Sequence, residues 1–219
     1  MGFSKARNGL HDRPLPGSLS CRESNPSIPY FAAEGRYDDA LRALLRENPF
    51  PGVCGRVCFH PCENECLRSQ YDESVSINAM ERYVFDVTSN YHPGVHPISN
   101  ADSKQVAVVG SGPAGLSAAY FLRLLGHRVT LVEARKELGG VMRWGIPEYR
   151  LPNSILRKEI KRILQLSIDV KTGVRVGKDI SFEELDRYDT VFLSPGAGLS
   201  LPFDIEGKDF KGFGEEGIF

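Results

Sequence analysis

The fold of this chain is decided by residues 104–133, KQVAVVGSGPAGLSAAYFLRLLGHRVTLVE. Within this stretch the apolar, mostly β-branched run Val106–Val109 predicts a buried parallel strand. Gly110–Gly115 follow at once and match the spacing G-x-G-x-x-G. We predict that the next helix runs to Leu125 and that a second strand covers Arg128–Val132. This order predicts the β-α-β unit of a Rossmann-like α/β fold.

The glycine turn has the properties of a phosphate-binding site. Gly110 allows the tight turn, Gly112 allows a pyrophosphate to approach the backbone, and Gly115 allows the helix to pack closely on the strand. Pro113 suits the first turn of the helix, where free amides and the helix dipole stabilise phosphate charge. We therefore predict a dinucleotide bound over Gly110, Ser111, Gly112, Pro113, Ala114 and Gly115.

Glu133 follows the second strand directly. A carboxylate at this place accepts a hydrogen bond from a ribose hydroxyl of the dinucleotide. Its negative charge disfavours a 2′-phosphate, so NADP is not expected on this turn. FAD and NAD remain as alternatives at this point.

The composition excludes several classes of protein. The 219 residues include 27 lysines and arginines and 28 aspartates and glutamates, so no net field favours nucleic acid or an anionic membrane. No apolar run approaches the roughly 20 residues that span a bilayer, and the first residues lack the apolar core of a secretory signal. Five cysteines without such a signal favour reduced thiols or metal ligands. We expect a cytoplasmic protein with no nucleic-acid partner and no membrane insertion.

The sequence predicts a domain boundary near residue 100. Helices are predicted at about Tyr37–Arg46 and Ser76–Val87, and the polar stretch 90–103 has the composition of a linker. We therefore predict an N-terminal arm and a small α-helical domain over residues 1–100. A Rossmann-like α/β domain is predicted over residues 101–219.

A helix is predicted after Asn153, and strands at about 168–171 and Thr190–Leu193 complete the predicted half-sheet. The helix has one apolar face, made by Ile155, Leu156, Ile160, Ile163 and Leu164. Its charged residues, Arg157, Lys158, Lys161 and Arg162, are expected to form a solvated face.

Four cysteines recur at every fourth residue between the two N-terminal helices: Cys54, Cys58, Cys62 and Cys66. In one straight helix each step of four residues turns by about 40°, so the first and last thiols would diverge by about 120°. Pro61 also prevents a continuous helix, so the segment must bend. Structural zinc commonly uses Cys-x-x-Cys pairs, which are absent here. The cysteines could also be buried side chains that bind no metal. An iron–sulfur cluster is the best remaining interpretation, although the spacing alone leaves these alternatives open.

These motifs together resemble a known family of flavin and iron–sulfur oxidoreductases. Cys54-Gly-Arg-Val-Cys58, Pro61-Cys62-Glu63 and Cys66, followed by the glycine turn, are similar to the glutamate synthase small subunit and the N-terminal region of dihydropyrimidine dehydrogenase. The stretch 138–152, LGGVMRWGIPEYRLP, is a specific mark of that family. The likeness runs from about Cys21 to the C-terminus. It implies an iron–sulfur domain before an FAD-binding half-domain, with FAD rather than NAD on the glycine turn and a 4Fe–4S cluster nearby as an electron relay.

The resemblance implies two ligand sets for the cluster. The family usually carries an earlier group of four cysteines and two clusters, whereas only Cys21 remains of that group here, so one complete cluster is expected. In the dehydrogenase the position of Cys54 is not a ligand, and a polar side chain from the next helix, matching Glu81 here, completes a cluster. The alternatives are Cys54, Cys58, Cys62 and Cys66, or Cys21, Cys58, Cys62 and Glu81. We favour the first set because it needs no unusual ligand.

Further residues are expected to complete the FAD site. The loop 135–150 is rich in glycine and arginine and is suited to contacts with the flavin phosphates or ring edge, and Ser194–Gly198 resemble a glycine turn of the family. The expected residues beyond the 110–115 turn and Glu133 are Ala134, Arg135, Gly140, Arg143, Ile146, Val176, Gly196 and Ala197.

The family's members continue with a second Rossmann unit for NAD(P)H, which we do not recognise in this sequence. No nucleophile triad or carboxylate pair is legible, so no catalytic residue is assigned. We expect an FAD-dependent electron-transfer subunit or fragment that works with other redox subunits, one of which binds NAD(P)H. The alternative is a structural adaptor whose cofactor sites are vestigial.

Overall fold

The computed structural model describes residues 27–88, 97–99 and 101–197. Residues 1–26, with Cys21, lie outside the described part of the chain. So do most of the predicted linker and everything from residue 198 onward. The helices are α1 (Ser27–Ala33), α2 (Tyr37–Leu44), α3 (Pro51–Val57), α4 (Pro61–Asn64), α5 (Ile77–Thr88), α6 (Pro113–Leu124), α7 (Val141–Trp144) and α8 (Asn153–Leu164). The strands are β1 (Gln105–Val109), β2 (Arg128–Glu133), β3 (Asp169–Thr172) and β4 (Thr190–Leu193), and short 3₁₀ turns cover Leu67–Gln70 and Glu183–Arg187.

Residues 27–88 form an N-terminal helical region with a small core of its own. Leu41 and Leu44 of α2 are buried in one apolar cluster with Val84 of α5 and Ile28 of α1. Fully buried leucine and valine side chains each contribute roughly 1.5–3 kcal/mol relative to exposure. This cluster therefore holds α1, α2 and α5 together.

Residues 101–197 form a Rossmann-like region around a four-stranded parallel sheet in the order β3-β2-β1-β4. Val106 pairs with Val129, and Val109 pairs with both Val132 and Leu193. In a parallel sheet the carboxyl ends of all strands lie at one edge, so the glycine turn after β1, Glu133 and the end of β4 are brought together. The α/β fold class predicted from the sequence is confirmed.

The two regions share a hydrophobic core. Phe50 and Val53, at the start of α3, belong to the same buried cluster as Val108 and Leu131 of the sheet. The hydroxyl of Tyr120, on α6, donates a hydrogen bond of 2.7 Å to the carbonyl of Leu45. The cysteine-bearing helix α3 is therefore packed directly on the Rossmann-like region.

The apolar face of α8 is formed largely as predicted, with Leu156, Ile160 and Ile163 buried. The prediction of a solvated charged face is wrong for Arg162, whose side chain is only 12% exposed. Arg162 donates to the carbonyl of Pro49 at 2.7 Å and pairs with Glu159, so partners distant in sequence draw it into the interface.

In the described parts of the chain, no helix has the combined length and apolar character that crossing a membrane requires.

The interface around Tyr120 gives a prediction of stability. Tyr120 is 2% exposed, and burial raises its pKa to about 12. Tyr120→Phe removes the hydrogen bond to Leu45, so the free energy of unfolding at pH 7 should fall by about 1 kcal/mol. Urea denaturation followed by circular dichroism measures this, with the exposed Tyr149→Phe as the control.

The pH dependence of the free energy of unfolding tests the role of Tyr120 a second time. In the unfolded chain Tyr120 ionises near its ordinary pKa of 10, and in the folded chain only near 12. The wild type should therefore lose stability as the pH rises from 10 to 12, because the unfolded state then binds fewer protons. Tyr120→Phe lacks this loss, so the difference in the free energy of unfolding between wild type and variant should become smaller from pH 10 to pH 12. Equal stability at pH 7 together with parallel pH profiles would contradict the assigned role.

Candidate cofactor site

Close backbone contacts at the end of β1 require glycine at two positions. Gly110 has a φ of +98°, and a Cβ there would lie 2.1 Å from the carbonyl oxygen of Ser194. A Cβ on Gly115 would lie 1.8 Å from the carbonyl oxygen of Gly110. Neither contact can be accommodated by a side chain. These glycines therefore let β1, α6 and the end of β4 approach each other.

Gly112 is different, because neither its backbone nor its packing requires glycine. Its φ of −69° and ψ of −174° are extended angles that any residue adopts. No atom lies within 4 Å of a Cβ built on it, so its free side faces open space. This open space lies beside the first residue of α6, where the sequence predicts the pyrophosphate.

The loop after β2 closes on the other side of Gly112. A Cβ on Gly140 would lie 2.5 Å from the Cα atom of Gly112, and Gly140 has a φ of +51°. The amide of Gly139 donates to the carbonyl of Ser111 at 3.1 Å. The segments that carry Gly112 and Gly140, both predicted site residues, are thus in close contact beside the predicted site.

Glu133 is 9% exposed and is oriented by three donors. Its Oε2 atom accepts hydrogen bonds from the amide and the hydroxyl of Ser111, at 2.8 and 2.5 Å. Its Oε1 atom accepts one from the amide of Arg135 at 2.8 Å. A carboxylate has about four acceptor positions, so Oε1 keeps capacity for a ribose hydroxyl. Ser111 is a predicted residue of the site, but its position in the sequence does not indicate that its side chain holds Glu133.

The arginines of the loop have roles within the protein. Arg143 donates from Nε to the carbonyl of Leu138 at 2.7 Å and pairs with Glu137 at 3.1 Å. Arg135 lies over the ring of Trp144, with its Cζ atom 5.0 Å from the ring centroid. In this structure the two side chains therefore shape the loop.

The remaining predicted residues lie around the same edge of the sheet. Ala134 is exposed after β2, and Ile146 is partly buried against the main core. The segment containing Val176 follows β3, and the amide of Val174 donates to the carbonyl of Glu133 at 3.0 Å. Gly196 and Ala197 follow β4 and are exposed.

The cysteine segment bends at the predicted place. Cys54 lies in α3, Cys58 follows its last residue, and Cys62 lies in α4. Between the two helices His60 has a φ of +46°, and Pro61 begins α4. The four cysteines from Cys54 to Cys66 form no disulfide within the described residues, and all four are partly exposed. Within the described residues no three His, Cys, Asp or Glu side chains are arranged to share one metal ion.

Cys58 and Glu81 are both electrostatic neighbours of the Cys62 thiol. Burial raises the pKa of the Cys62 thiol, and the neighbouring charges of Cys58, Glu63 and Glu81 raise it further. Cys58 accepts a hydrogen bond from the amide of His60, with 3.3 Å between nitrogen and sulfur. Glu81 is 4% exposed on α5. The three described members of the second ligand set therefore interact through Cys62, but they are not arranged to share one metal ion.

Cys54 and Cys66 have other surroundings. Cys54 packs against the main core, and its thiol donates to Oδ1 of Asn48 at 3.8 Å. The backbone amides of Val75 and Arg68 lower the pKa of Cys66. The structure does not bring these two thiols together with Cys58 and Cys62.

Comparison with known protein families matches both regions. Residues 20–92 match the family described as dihydropyrimidine dehydrogenase domain II, 4Fe-4S cluster, and this match includes all five cysteines. Residues 108–153 match the family described as NAD(P)-binding Rossmann-like domain, and this match includes the glycine turn and Glu133. The predicted order of an iron–sulfur type of domain before a Rossmann-like domain is confirmed.

Three relatives show the same relationship over most of the chain. The chain is 44% identical over 192 residues to the NADPH-Fe(3+) oxidoreductase subunit beta of Geobacter sulfurreducens, covering 84% of this chain and 28% of that protein. It is 37% identical over 204 residues to the NADP(+)-dependent formate dehydrogenase subunit beta of Moorella thermoacetica, covering 83% and 29%. It is 40% identical over 182 residues to the glutamate synthase [NADPH] small chain of Bacillus subtilis, covering 81% and 36%.

The chain therefore spans roughly a third of the length of these relatives. The resemblance inferred from the cysteine and glycine motifs is confirmed, and over this part the chain is homologous to glutamate synthase small chains and to the beta subunits of NADP(H)-linked oxidoreductases.

Proposed function

We propose that this chain is the electron-transfer component of a larger NAD(P)H-linked oxidoreductase, with FAD on the 110–115 turn and a 4Fe–4S cluster on the cysteine segment. The observation that carries the proposal is the shared core. Phe50 and Val53 of the cysteine-bearing helix lie in one buried cluster with the sheet that ends in the glycine turn. The two candidate sites therefore belong to one packed unit, as direct electron transfer between them requires.

The residues of the glycine turn fit a dinucleotide. The open side of Gly112, beside the closely approaching Gly140, leaves room for a pyrophosphate. The oriented carboxylate of Glu133 offers an acceptor for a ribose hydroxyl. The carboxylate argues against NADP, and the choice of FAD over NAD rests on the resemblance of the 138–152 loop to flavoproteins. When bound, FAD would exchange electrons in pairs with a nicotinamide and singly with a cluster.

The donor set fits an iron–sulfur cluster, because cysteine thiolates are its usual ligands. We now favour Cys21, Cys58, Cys62 and Glu81 over the four regularly spaced cysteines. This choice is supported by the electrostatic interaction of Cys62 with both Cys58 and Glu81, and by the packing of Cys54 against the main core. A cluster held by reduced thiols is in keeping with the cytoplasm, where we expect the protein to act.

We propose that another redox subunit, or a further segment of the same protein, binds NAD(P)H. The spacing G-x-G-x-x-G occurs a second time in this sequence, in GFGEEG at residues 212–217, which lie outside the described residues. The residues before it, GKDFK, lack the apolar run of a Rossmann strand. We therefore do not assign it to a nucleotide.

The flavin proposal predicts the effect of Gly112→Val. The new side chain meets no protein atom, so the free energy of unfolding should stay within about 0.5 kcal/mol of the wild type. It would occupy the space proposed for the pyrophosphate, so FAD retention after gel filtration should be lost. The contrasting variant is Gly115→Ala, which should destabilise the fold itself because of the clash with Gly110. Stoichiometric FAD on a folded Gly112→Val chain would show that the pyrophosphate binds elsewhere.

The cluster proposal predicts a pattern of iron content among five variants. Cys58→Ser and Cys62→Ser should each lose iron because both residues belong to both ligand sets. Glu81→Ala should also lose iron, whereas Cys54→Ser and Cys66→Ser should keep it. Elemental analysis of anaerobically purified protein measures this, with circular dichroism to check folding. Iron retained in Cys58→Ser would refute both ligand sets. If Cys54→Ser and Cys66→Ser lose iron while Glu81→Ala keeps it, the ligands are those of the first set.

The partner proposal predicts the activity of the isolated chain. The purified 219-residue chain should not oxidise NADH or NADPH with an artificial electron acceptor. Activity should require the co-purifying subunit or segment that supplies the nicotinamide site. Steady turnover of either nucleotide by the chain alone would overturn this part of the proposal.

A further inference from the structure

Glu159, on α8, is a fully buried carboxylate that none of the candidate cofactor sites uses. Its Oε1 atom accepts a hydrogen bond of 2.5 Å from the amide of Gly52, and the carboxyl group also interacts with the amide of Val53. Gly52 and Val53 belong to the first turn of α3. A residue of the Rossmann-like region thus satisfies the free amides of the helix that carries Cys54 and leads to Cys58.

Arg162 completes this contact from the next turn of α8. It pairs with Oε2 of Glu159 and donates to the carbonyl of Pro49 at 2.7 Å. Within residues 49–53, Arg162 therefore contacts one backbone carbonyl and Glu159 contacts two backbone amides. We call these two side chains the α8 clamp.

Glycine at position 52 allows the close approach. A Cβ there would lie 2.7 Å from Oε1 of Glu159 and 2.6 Å from the ring of Phe85 on α5. A Cβ on Gly55 would lie 2.8 Å from the Cβ atom of Arg82, also on α5. Helix α3 is therefore held by α8 at its first turn and by α5 along its side, which leaves it little freedom to rotate.

The energetics indicate a role beyond stability. Burial raises the pKa of Glu159, while Arg162 and the amides of α3 act in the opposite direction. Desolvating two charges offsets most of their attraction, so a buried ion pair contributes little more to stability than apolar side chains of the same size. The ion pair instead specifies the orientation of α3 on α8, because its hydrogen bonds form in only one arrangement of the two helices.

We propose that Glu159 is a positioning residue, which through the α8 clamp fixes the orientation of α3, and with it Cys58, relative to the glycine turn. The clamp is connected to that turn through α6. Arg123 of α6 donates to the carbonyl of Leu166, just after α8, at 2.7 Å, and α6 begins at Pro113. The functional part of this inference rests on the proposed function, whereas the clamp itself does not.

The test is hydrogen–deuterium exchange of the full chain carrying Glu159→Gln. The variant keeps the shape of the side chain but removes the charge that Arg162 and the two amides share. Exchange of peptides covering residues 49–58 should become about tenfold faster, as expected when a charge-assisted hydrogen bond is replaced by a weaker neutral one, while the rest of the Rossmann-like region is unchanged. Iron content should stay at the wild-type level, and the electron paramagnetic resonance spectrum of the reduced cluster should broaden.

A second variant of the α8 clamp and a control variant extend the test. Arg162→Lys keeps a positive charge beside Glu159 but replaces the planar guanidinium that contacts both Glu159 and Pro49 by a shorter ammonium group. It should therefore loosen residues 49–53 even if Glu159→Gln fails to fold. Tyr149→Phe changes an exposed side chain of the Rossmann-like region and is the control, so it should leave exchange at residues 52–58 unchanged. Wild-type exchange at 49–58 in both clamp variants, or an equal increase throughout the protein, would overturn the inference. A wild-type chain without FAD or iron would refute the proposed function but leave the exchange result readable.

Discussion

The close approach of β1, α6 and β4 at the glycine turn is the constraint on which the rest of the structure depends. A Cβ on Gly115 would lie within 1.8 Å of the Gly110 carbonyl, so no other residue permits this crossing of strand and helix. The crossing sets the direction of α6, leaves the side of Gly112 open, and carries Tyr120 to the carbonyl of Leu45. The candidate dinucleotide site and the position of the helical region therefore share one origin.

Two buried carboxylates extend this arrangement in opposite directions. Glu133 is held by Ser111 within the glycine turn and keeps acceptor capacity for a ligand, whereas Glu159 directs both oxygens at protein donors. Unpaired buried charge is costly, so each carboxylate specifies the arrangement of its donors. One carboxylate thereby orients the edge of the nucleotide site and the other the first turn of the cysteine-bearing helix.

The elements around the glycine turn could be predicted from the sequence because their signals are local. β-branched runs and glycines set β1, α6 and β2, and Pro61 sets the break in the cysteine segment. The contact between Gly52 and Glu159 could not be predicted, since 107 positions separate the two residues and Arg162 has the pattern of a solvated side chain. Equal spacing also gave no indication that Cys54 packs against the core while Cys62 interacts with Glu81. Side-chain direction in a bent segment depends on the packing of α3 against α5 and α8.

The central claim is that one packed unit holds both a flavin and an iron–sulfur cluster. The most direct measurement is the visible absorption spectrum of the anaerobically purified wild-type chain, together with its FAD, iron and acid-labile sulfide content. We expect stoichiometric FAD, equal amounts of iron and sulfide, and thiolate-to-iron absorption that dithionite bleaches. A folded chain that binds neither flavin nor iron, even after reconstitution, would contradict the account and favour a structural adaptor.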